Sequence, residues 1–580
     1  MSTLYPQTKI EWIDQSQIPS ITFDTDNSPL FMCAFTSDKG REDLNIVSGA
    51  DFFKQYGNSI LFQKHGQPLL QTARAINAGA RVLAKRVVAP DSKLANAIVS
   101  VKLTEKMELE TKVMELTYQI HSVASATKKL DVDTVAATLL DDVTGVYPLF
   151  AIYDIGRGTS DKKFRLSPDF NGSKYLPFLQ YKLDIMENAE TLETVNCSIN
   201  PDMIYNSNNF SLSTVINANS KQVRSSMYEK GIEGFITKMA TFLEKSQEEL
   251  FNMDILFGYD KKGQALKNVK FAEDSVNINH VYGIGLQNGS NGTFGDAPLD
   301  AVEYEAELAK VFNGQATDAI YDMINYQIDA IIDANYPASV KRAIENLCTF
   351  REDIFYFRDL GHVFTVEQMK NVHNEALHNK FSASYHLSYE VIDPYSKKQI
   401  PVTIGYSLSS LLVDHFKNGR NRPLSGQLYG FVLTDAVEGT VNYIPRKTPS
   451  IDQFQELNDL RINYGSYYGD KLVVETQYTS QEEYTQLSFI NNVLAIQELI
   501  KDIRKRCPYT RYTFLDGDDF KKYQKDVERI IAKHKFNFAD IKFTYLEDPT
   551  MIQNKIYYAS IEVKCRNYIQ AEYFKIYTIN

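Results

Sequence analysis

The sequence predicts a multidomain chain of mixed α/β and β structure, with an α/β core built from two separated stretches, a strand-rich unit inserted between them, and extended arms at both ends. Three observations predict it. A strand-helix-strand pattern occurs near residues 30–89 and again near 327–359, each with apolar strands around a helix that has one apolar face. Between them, from about 101 to 270, short β-like runs alternate with charged stretches and turn signals. A length of 580 residues leaves room for three or four units at about 150 residues each.

The first 20 residues read as an arm. Ile10 and Trp12 alternate with Lys9, Glu11 and Asp14, a short strand-like stripe with no neighbouring strand to pair, bracketed by Pro6 and Pro19. The first part of the core follows, over 21–100. It begins with the apolar strand Leu30–Phe35, a turn at Asp38, Lys39 and Gly40, and the run Ala50–Tyr56. A helix over Gln67–Ala78 carries Leu69, Leu70, Ala73 and Ile76 on one face. Gly79 is placed to cap it before the strand Ala80–Ala89.

The inserted unit, 101–270, is expected to be mostly strands, for example Tyr147–Tyr153 and Phe178–Met186, with helices including Val223–Leu250. The α/β pattern returns over 271–445. The reading there is a strand Val276–Tyr282, a Gly/Asn loop Gly283–Gly295, a helix opening near Asp300 and a strand Gln327–Ala334. A helix from Ser339, an N-cap residue type, runs through Arg351 to the strand Asp353–Asp359. A further helix includes Leu408–His415, with a loop over Gly419–Gly426. In the last unit, 446–580, helices are expected over Gln481–Lys505 and Asp518–His534, then strands Ile541–Leu546, Ile556–Lys564 and Ile569–Ile579. The last strand has Phe574 and Ile576 on one face and Tyr573, Tyr577 and Ile579 on the other. Left unpaired it would be costly, so it belongs in a sheet, its own or a neighbour's.

Composition narrows the function. A formal charge of -11 argues against nucleic-acid binding, which needs a basic footprint. No apolar run approaches the roughly 18 residues of a membrane span, and the start lacks a basic segment followed by an apolar one. The five cysteines, Cys33, Cys197, Cys348, Cys507 and Cys565, lie far apart and read as reduced, mostly buried thiols. With 36 Tyr and 33 Phe against a single Trp, the chain is suited to large sheets and wet interfaces.

Motifs for catalysis or metal binding are weak. His373 and His378 flank Glu375, but a spacing of five does not place two imidazoles on one helical face. The loop Gly283–Gly295 has Asn288 where a dinucleotide motif needs its third glycine, so a turn is the better reading. Asp518–Asp519 and Glu482–Glu483 are expected at helix starts, complementing the dipole. The basic run Lys501, Arg504, Lys505 and Arg506 fits a helix C-terminus, with contact to an acidic partner as the functional alternative. No catalytic set, cofactor or metal is expected.

The order of elements resembles the tail sheath family of contractile bacteriophages and related injection systems. The resemblance is carried by ARAINAGARVLAKRVV (73–88), LFAIYDIGRGTSDKKFRLSPD (149–169), GIGLQNGSNG (283–292), the stretch 391–426 from polar turn through helix to Pro/Gly loop, and the closing strands of 554–580. Over about 101–270 the match is weakest, as in that family's variable, outward-facing insertion. The resemblance implies a structural protein of the virion tail, assembled in the host cytoplasm and not an enzyme. Its subunits would stack in six-fold rings around a tube and contract to drive it through the host envelope for genome delivery. The partners implied are further copies of itself, the tail tube protein, and baseplate and tail terminator proteins, with no nucleic acid and no direct membrane contact. Strand exchange between neighbours would use Ile10, Trp12, Tyr573, Phe574, Ile576 and Tyr577. The tube-facing C-terminal unit would present Lys501, Arg504, Lys505 and Arg506. The alternatives are another phage assembly protein, such as a baseplate or capsid subunit, or an α/β enzyme with an inserted lid.

Overall fold

The computed structural model describes residues 28–58, 60–130, 145–170, 180–314, 318–426, 428, 430–441, 451–468, 471–506, 517–546, 549–553 and 558–568. Its centre is a seven-stranded sheet. The strands lie in the order Asn45–Val47, Arg81–Arg86, Leu30–Phe35, Ala330–Ile332, Phe355–Asp359, Ser382–Tyr385 and Ile462–Asn463. The first strand is antiparallel to its neighbour and every other pairing is parallel.

Parallel strands covered on both faces have to be apolar nearly throughout. Leu30–Phe35 reads LFMCAF and every residue of it is buried, as is all of Phe355–Asp359. The helix Phe62–Asn77 lies on the connection from Leu30–Phe35 to Arg81–Arg86, toward one edge, and Ala338–Arg351 on that from Ala330–Ile332 to Phe355–Asp359, toward the other. Right-handed crossovers in opposite directions put these helices on opposite faces of the sheet. Gly405–Asn418 packs beside Phe62–Asn77, and Val302–Phe312 beside Ala338–Arg351. Gly405 has a steric reason to be glycine: a Cβ there would lie 1.9 Å from the Asp333 carbonyl oxygen.

Between the two halves of this sheet the chain builds a second body with its own apolar core, which includes Val99, Met114, Phe164, Leu183, Phe235 and Leu256. One sheet there runs Val223–Met227, Val146–Asp154, Asn96–Glu108, Thr111–His121 and Val269–Phe271. The other runs Ile284–Gly285, Lys162–Pro168, Tyr181–Glu187 and Glu190–Cys197. The helix Glu229–Leu243 covers the first sheet.

At the C-terminal end the helices Ile490–Arg506 and Asp518–His534 pack together. The antiparallel hairpin of Phe538–Leu546 and Tyr558–Cys565 lies against them around Ala495, Leu499, Ile530 and Phe538. Among the described residues no helix is long and apolar enough to cross a membrane. Four cysteines, Cys33, Cys197, Cys348 and Cys565, are free and buried; Cys507 lies outside the described residues.

Several expectations change. Val223–Met227 is a strand, because Ser225 and Ser226 continue a ladder to Ile152 and Ala151; the helix starts at Glu229. Val276–Tyr282 forms turns in place of a strand. The helix expected from Gln481 begins at Ile490, so Glu482 and Glu483 precede it. Pro337, not Ser339, stands at the N-cap of Ala338–Arg351, and Ser339 donates to Glu305. Strand Ile462–Asn463 pairs with Ser382–Tyr385, which makes the stretch after residue 446 part of the central sheet.

Candidate functional site

Open α/β sheets bind ligands beyond the carboxyl ends of their strands, where the strand order reverses. In this sheet the reversal lies between Leu30–Phe35 and Ala330–Ile332. That crevice is filled by side chains. Tyr336 reaches across it, its hydroxyl donating to the Ala34 carbonyl at 2.8 Å and accepting from the Ala34 N–H at 3.2 Å. Gln71 donates to the carbonyls of Ile332 and Asp333, both at 3.1 Å, and accepts from Gln67, which also donates to Thr403 at 2.8 Å.

The charged groups there are equally committed. Lys341 sits 3.0 Å from Asp333 and 2.7 Å from Asp359, all three buried. Asp333 also accepts from the Tyr356 hydroxyl and the Tyr336 N–H, and Asp359 from the Thr403 hydroxyl at 2.7 Å. Burial, then the neighbouring Asp359 charge, pushes Asp333 above the ordinary carboxylate range. For Asp359 burial acts the same way, but Lys341 and Thr403 outweigh it and hold the group ionised. A carboxylate that acts on a substrate needs access to it, and Asp333 and Asp359 are buried.

Next to it, beyond the ends of Leu30–Phe35 and Arg81–Arg86, is a cavity of about 10 Å³ lined by Thr36, His65, Arg86, Asn291 and Phe294. That is room for a single water. His65 Nδ1 lies 3.1 Å from the Thr36 hydroxyl, and Asp38 pairs with Lys64 at 2.5 Å. Burial works against the Asp38 charge, yet His65 and Lys64 hold its carboxyl well below the usual range.

What closes this end is the inserted unit. Buried Arg86 donates to the carbonyls of Ser37 and Gly40 at 3.0 Å, and to that of Arg157 at 2.5 Å. Arg157 returns a forked ion pair to Glu42, whose side chain is 3% exposed, at 2.9 Å. A Cβ on Gly156 would stand 2.2 Å from the Gly40 carbonyl oxygen, so the two backbones touch. The insertion is welded to the core at this corner.

The expected contact residues are distributed as follows. Ile10, Trp12, Tyr573, Phe574, Ile576 and Tyr577 lie outside the described residues. Lys501 is no surface charge: it is buried at the amino end of the Ala330–Ile332 strand, 2.9 Å from Asp329, which also pairs with Arg420 at 2.8 Å. Arg504 is partly exposed, 3.6 Å from Asp353; Lys505 is exposed; the Arg506 side chain is outside the described set. His373 and His378 meet at 5.0 Å between ring centroids because the helix Val366–Asn374 ends between them. His373 is nevertheless taken by the Ser384 hydroxyl at 3.0 Å and by the Leu460 backbone, and burial, then His378, lowers it to about 4. The Gly283–Gly295 segment joins the four-stranded sheet through Ile284–Gly285.

No protein-family model matches this chain, and no curated protein does. Solved structures do match. A sheath tail protein from Desulfitobacterium hafniense covers 97% of this chain and 100% of its own, with 10% identity and a TM-score of 0.39. The helical sheath of the anti-feeding prophage in its contracted state covers 48% of this chain and 81% of its own, with 14% identity and a TM-score of 0.36. The PVC sheath complex of an extracellular contractile injection system, also contracted, covers 48% and 80%, with 10% identity and a TM-score of 0.36. All three neighbours are sheath proteins.

The residues that organise this chain's interior, Arg86, Glu42, Arg157, Asp333, Lys341 and Asp359, were not singled out from sequence. A weak signal was present: Arg86 and Asp359 close strands that contain the apolar runs Val82–Ala84 and Phe355–Phe357, where a buried charge has to be answered by a partner.

Proposed function

We propose that the chain is a structural subunit of a contractile tail sheath, polymerising around a tail tube and contracting to drive it through the host envelope for genome delivery. The observation that carries this reading is the terminal hairpin. Among the described residues, Phe538–Leu546 and Tyr558–Cys565 pair with each other and with no third strand. Two edges of nine and eight residues offer unpaired N–H and C=O groups to an added strand. The arms 1–20 and 569–580, with Ile10, Trp12, Tyr573, Phe574, Ile576 and Tyr577 as the exchanging residues, are the segments proposed to supply such strands between neighbouring subunits. Each backbone bond gained contributes about 1 kcal/mol, so a strand of several residues gives a firm link that tolerates sequence change. Stacked rings of the chain would be linked this way while subunits turn as rigid bodies.

Two further features support a mechanical role. The crevice where an α/β enzyme would bind substrate is filled by Tyr336, Gln71 and a matched set of charges. The insertion is fixed to the core through Arg86, Arg157 and Glu42, so force on one body passes to the other. Tube contact is proposed for Lys505 and the exposed part of Arg504; baseplate and terminator proteins are the proposed partners at the ends of the sheath.

Negative-stain electron microscopy of the purified chain, beside a variant lacking 569–580, tests the proposal. Hollow striated cylinders or stacked rings are expected from the intact chain, and monomers or short rings from the truncation. Compact single particles from both at high concentration would overturn it.

A further inference from the structure

The inserted unit contains one polar corner that the assembly reading does not use. Beyond the last ladder pair of Lys162–Pro168 with Tyr181–Glu187, Asp169 donates its N–H to the Gln180 carbonyl at 2.8 Å, which sets the two residues opposite each other. The segment 251–256 lies over them. Gln180 donates its amide to the Phe251 carbonyl, Tyr181 its hydroxyl to the Met253 carbonyl at 3.4 Å, and Leu256 its N–H back to the Tyr181 hydroxyl at 3.4 Å. Asp254, in that segment, is therefore brought to the corner held by Gln180 and Asp169.

Two oxygens at this corner are buried and accept no hydrogen bond, Asp254 Oδ1 and Gln180 Oε1, on residues 3% and 1% exposed. Asp254 makes no ion pair among the described residues. Asp169 is turned by Asn196, which donates to its Oδ2 at 2.8 Å. Buried acceptors without donors are rare, and each asks for an explanation, of which an ion is one. Carboxylate and amide oxygens with no thiolate or imidazole are the ligand set of a hard cation.

We propose that Asp169, Gln180 and Asp254 form a binding site for a divalent hard cation, calcium in preference to magnesium. Three side-chain oxygens leave the remaining ligand positions to water, and the flexible shell of calcium accepts such a set without the strict octahedron that magnesium demands. The groups facing Asp254 are Asp169 on the strand side and the neutral Tyr181; burial, then the Asp169 charge, raises Asp254 to about 7.

The test uses the full chain. Calcium chloride is titrated at pH 8 while thermal unfolding is followed, and terbium emission sensitised by Tyr181 is read in parallel. Half-saturation at about 10⁻³ M is expected, so about 10 mM calcium should raise the folding constant roughly tenfold. Asp254→Asn should abolish both signals while remaining folded, and Gln180→Glu, which adds a carboxylate, should bind terbium more tightly than the native chain. Absence of both signals in the native chain, or an equal calcium shift in Asp254→Asn, would overturn the site. Equal stabilisation by magnesium would overturn the preference for calcium.

Discussion

Two carboxylate pairs in this chain, one wholly buried and one with Asp254 buried beside the half-buried Asp169, meet opposite fates. In the central sheet Asp333 and Asp359 close on Lys341, and hydroxyl and backbone donors take up the remaining lone pairs. In the insertion Asp254 stands near Asp169 with no lysine or arginine paired to it among the described residues, and with an oxygen that accepts nothing. The difference tracks position. The first pair lies at the carboxyl ends of parallel strands, where helix Ala338–Arg351 has to be seated, and its lysine ties that helix to the sheet. The second lies at a corner of the insertion, away from the contact with the core. A matched buried cluster fixes geometry; an unmatched one is left responsive to protons and ions.

Removing the matching group from the first pair should give the largest effect. Lys341→Met keeps the side-chain length and leaves two buried carboxylates without a cation, so a loss of about 3–5 kcal/mol is expected in denaturant unfolding. A loss under about 1 kcal/mol would show that the lysine is not what holds the pair. Asp254→Asn probes the other pair, with the opposite sign. Because the folded carboxyl titrates at about 7 and the unfolded one near 3.8, the native state retains a proton that the unfolded state gives up between those values. Stability of the native chain without added cation therefore falls as pH rises through that window and levels off above it. The asparagine variant lacks this fall, so it should be more stable than the native chain at pH 8, by about 2 kcal/mol, and nearly equal to it at pH 4. Parallel pH profiles for the two chains would mean that the corner is solvated.

The contrast also explains what the sequence disclosed. The central sheet was legible where its strands carry apolar runs: Leu30–Phe35 throughout, Val82–Ala84 within Arg81–Arg86 and Phe355–Phe357 within Phe355–Asp359 all fall inside the strands expected, and helix Asp518–His534 matches its periodicity end to end. Errors fell where local pattern and tertiary pairing disagree. Val223–Met227 continues into a helical stripe, and only its partner Val146–Asp154 makes it a strand. Val276–Tyr282 has strand-like residues, but Val276 donates to the Tyr118 carbonyl from within a series of turns. Lys501 was read as part of a surface run, yet on helix Ile490–Arg506 it falls on the face turned to Asp329 and Arg420. Charge clusters join residues far apart in the chain, such as Glu42 with Arg157 and Asp329 with Lys501, and no local pattern encodes such pairs.

Lys505 gives the smallest effect on the fold and so the sharpest test of the proposed surface. Its neighbours in the basic run have duties inside the molecule: Lys501 neutralises Asp329, and Arg504 leans on Asp353, itself held by Arg351 at 2.9 Å. Reversing either would disturb the seat of the C-terminal helices, and any loss of assembly would then have two causes. Lys505 is exposed, with no ion pair among the described residues, so Lys505→Glu should change unfolding free energy by less than about 0.5 kcal/mol. If this face meets an acidic tube, the same change should shorten sheaths grown on tubes, and the shortening should fade as salt screens the contact over about 10 Å at 0.1 M. Sheaths of native length on tubes at low salt would remove Lys505 from the tube interface.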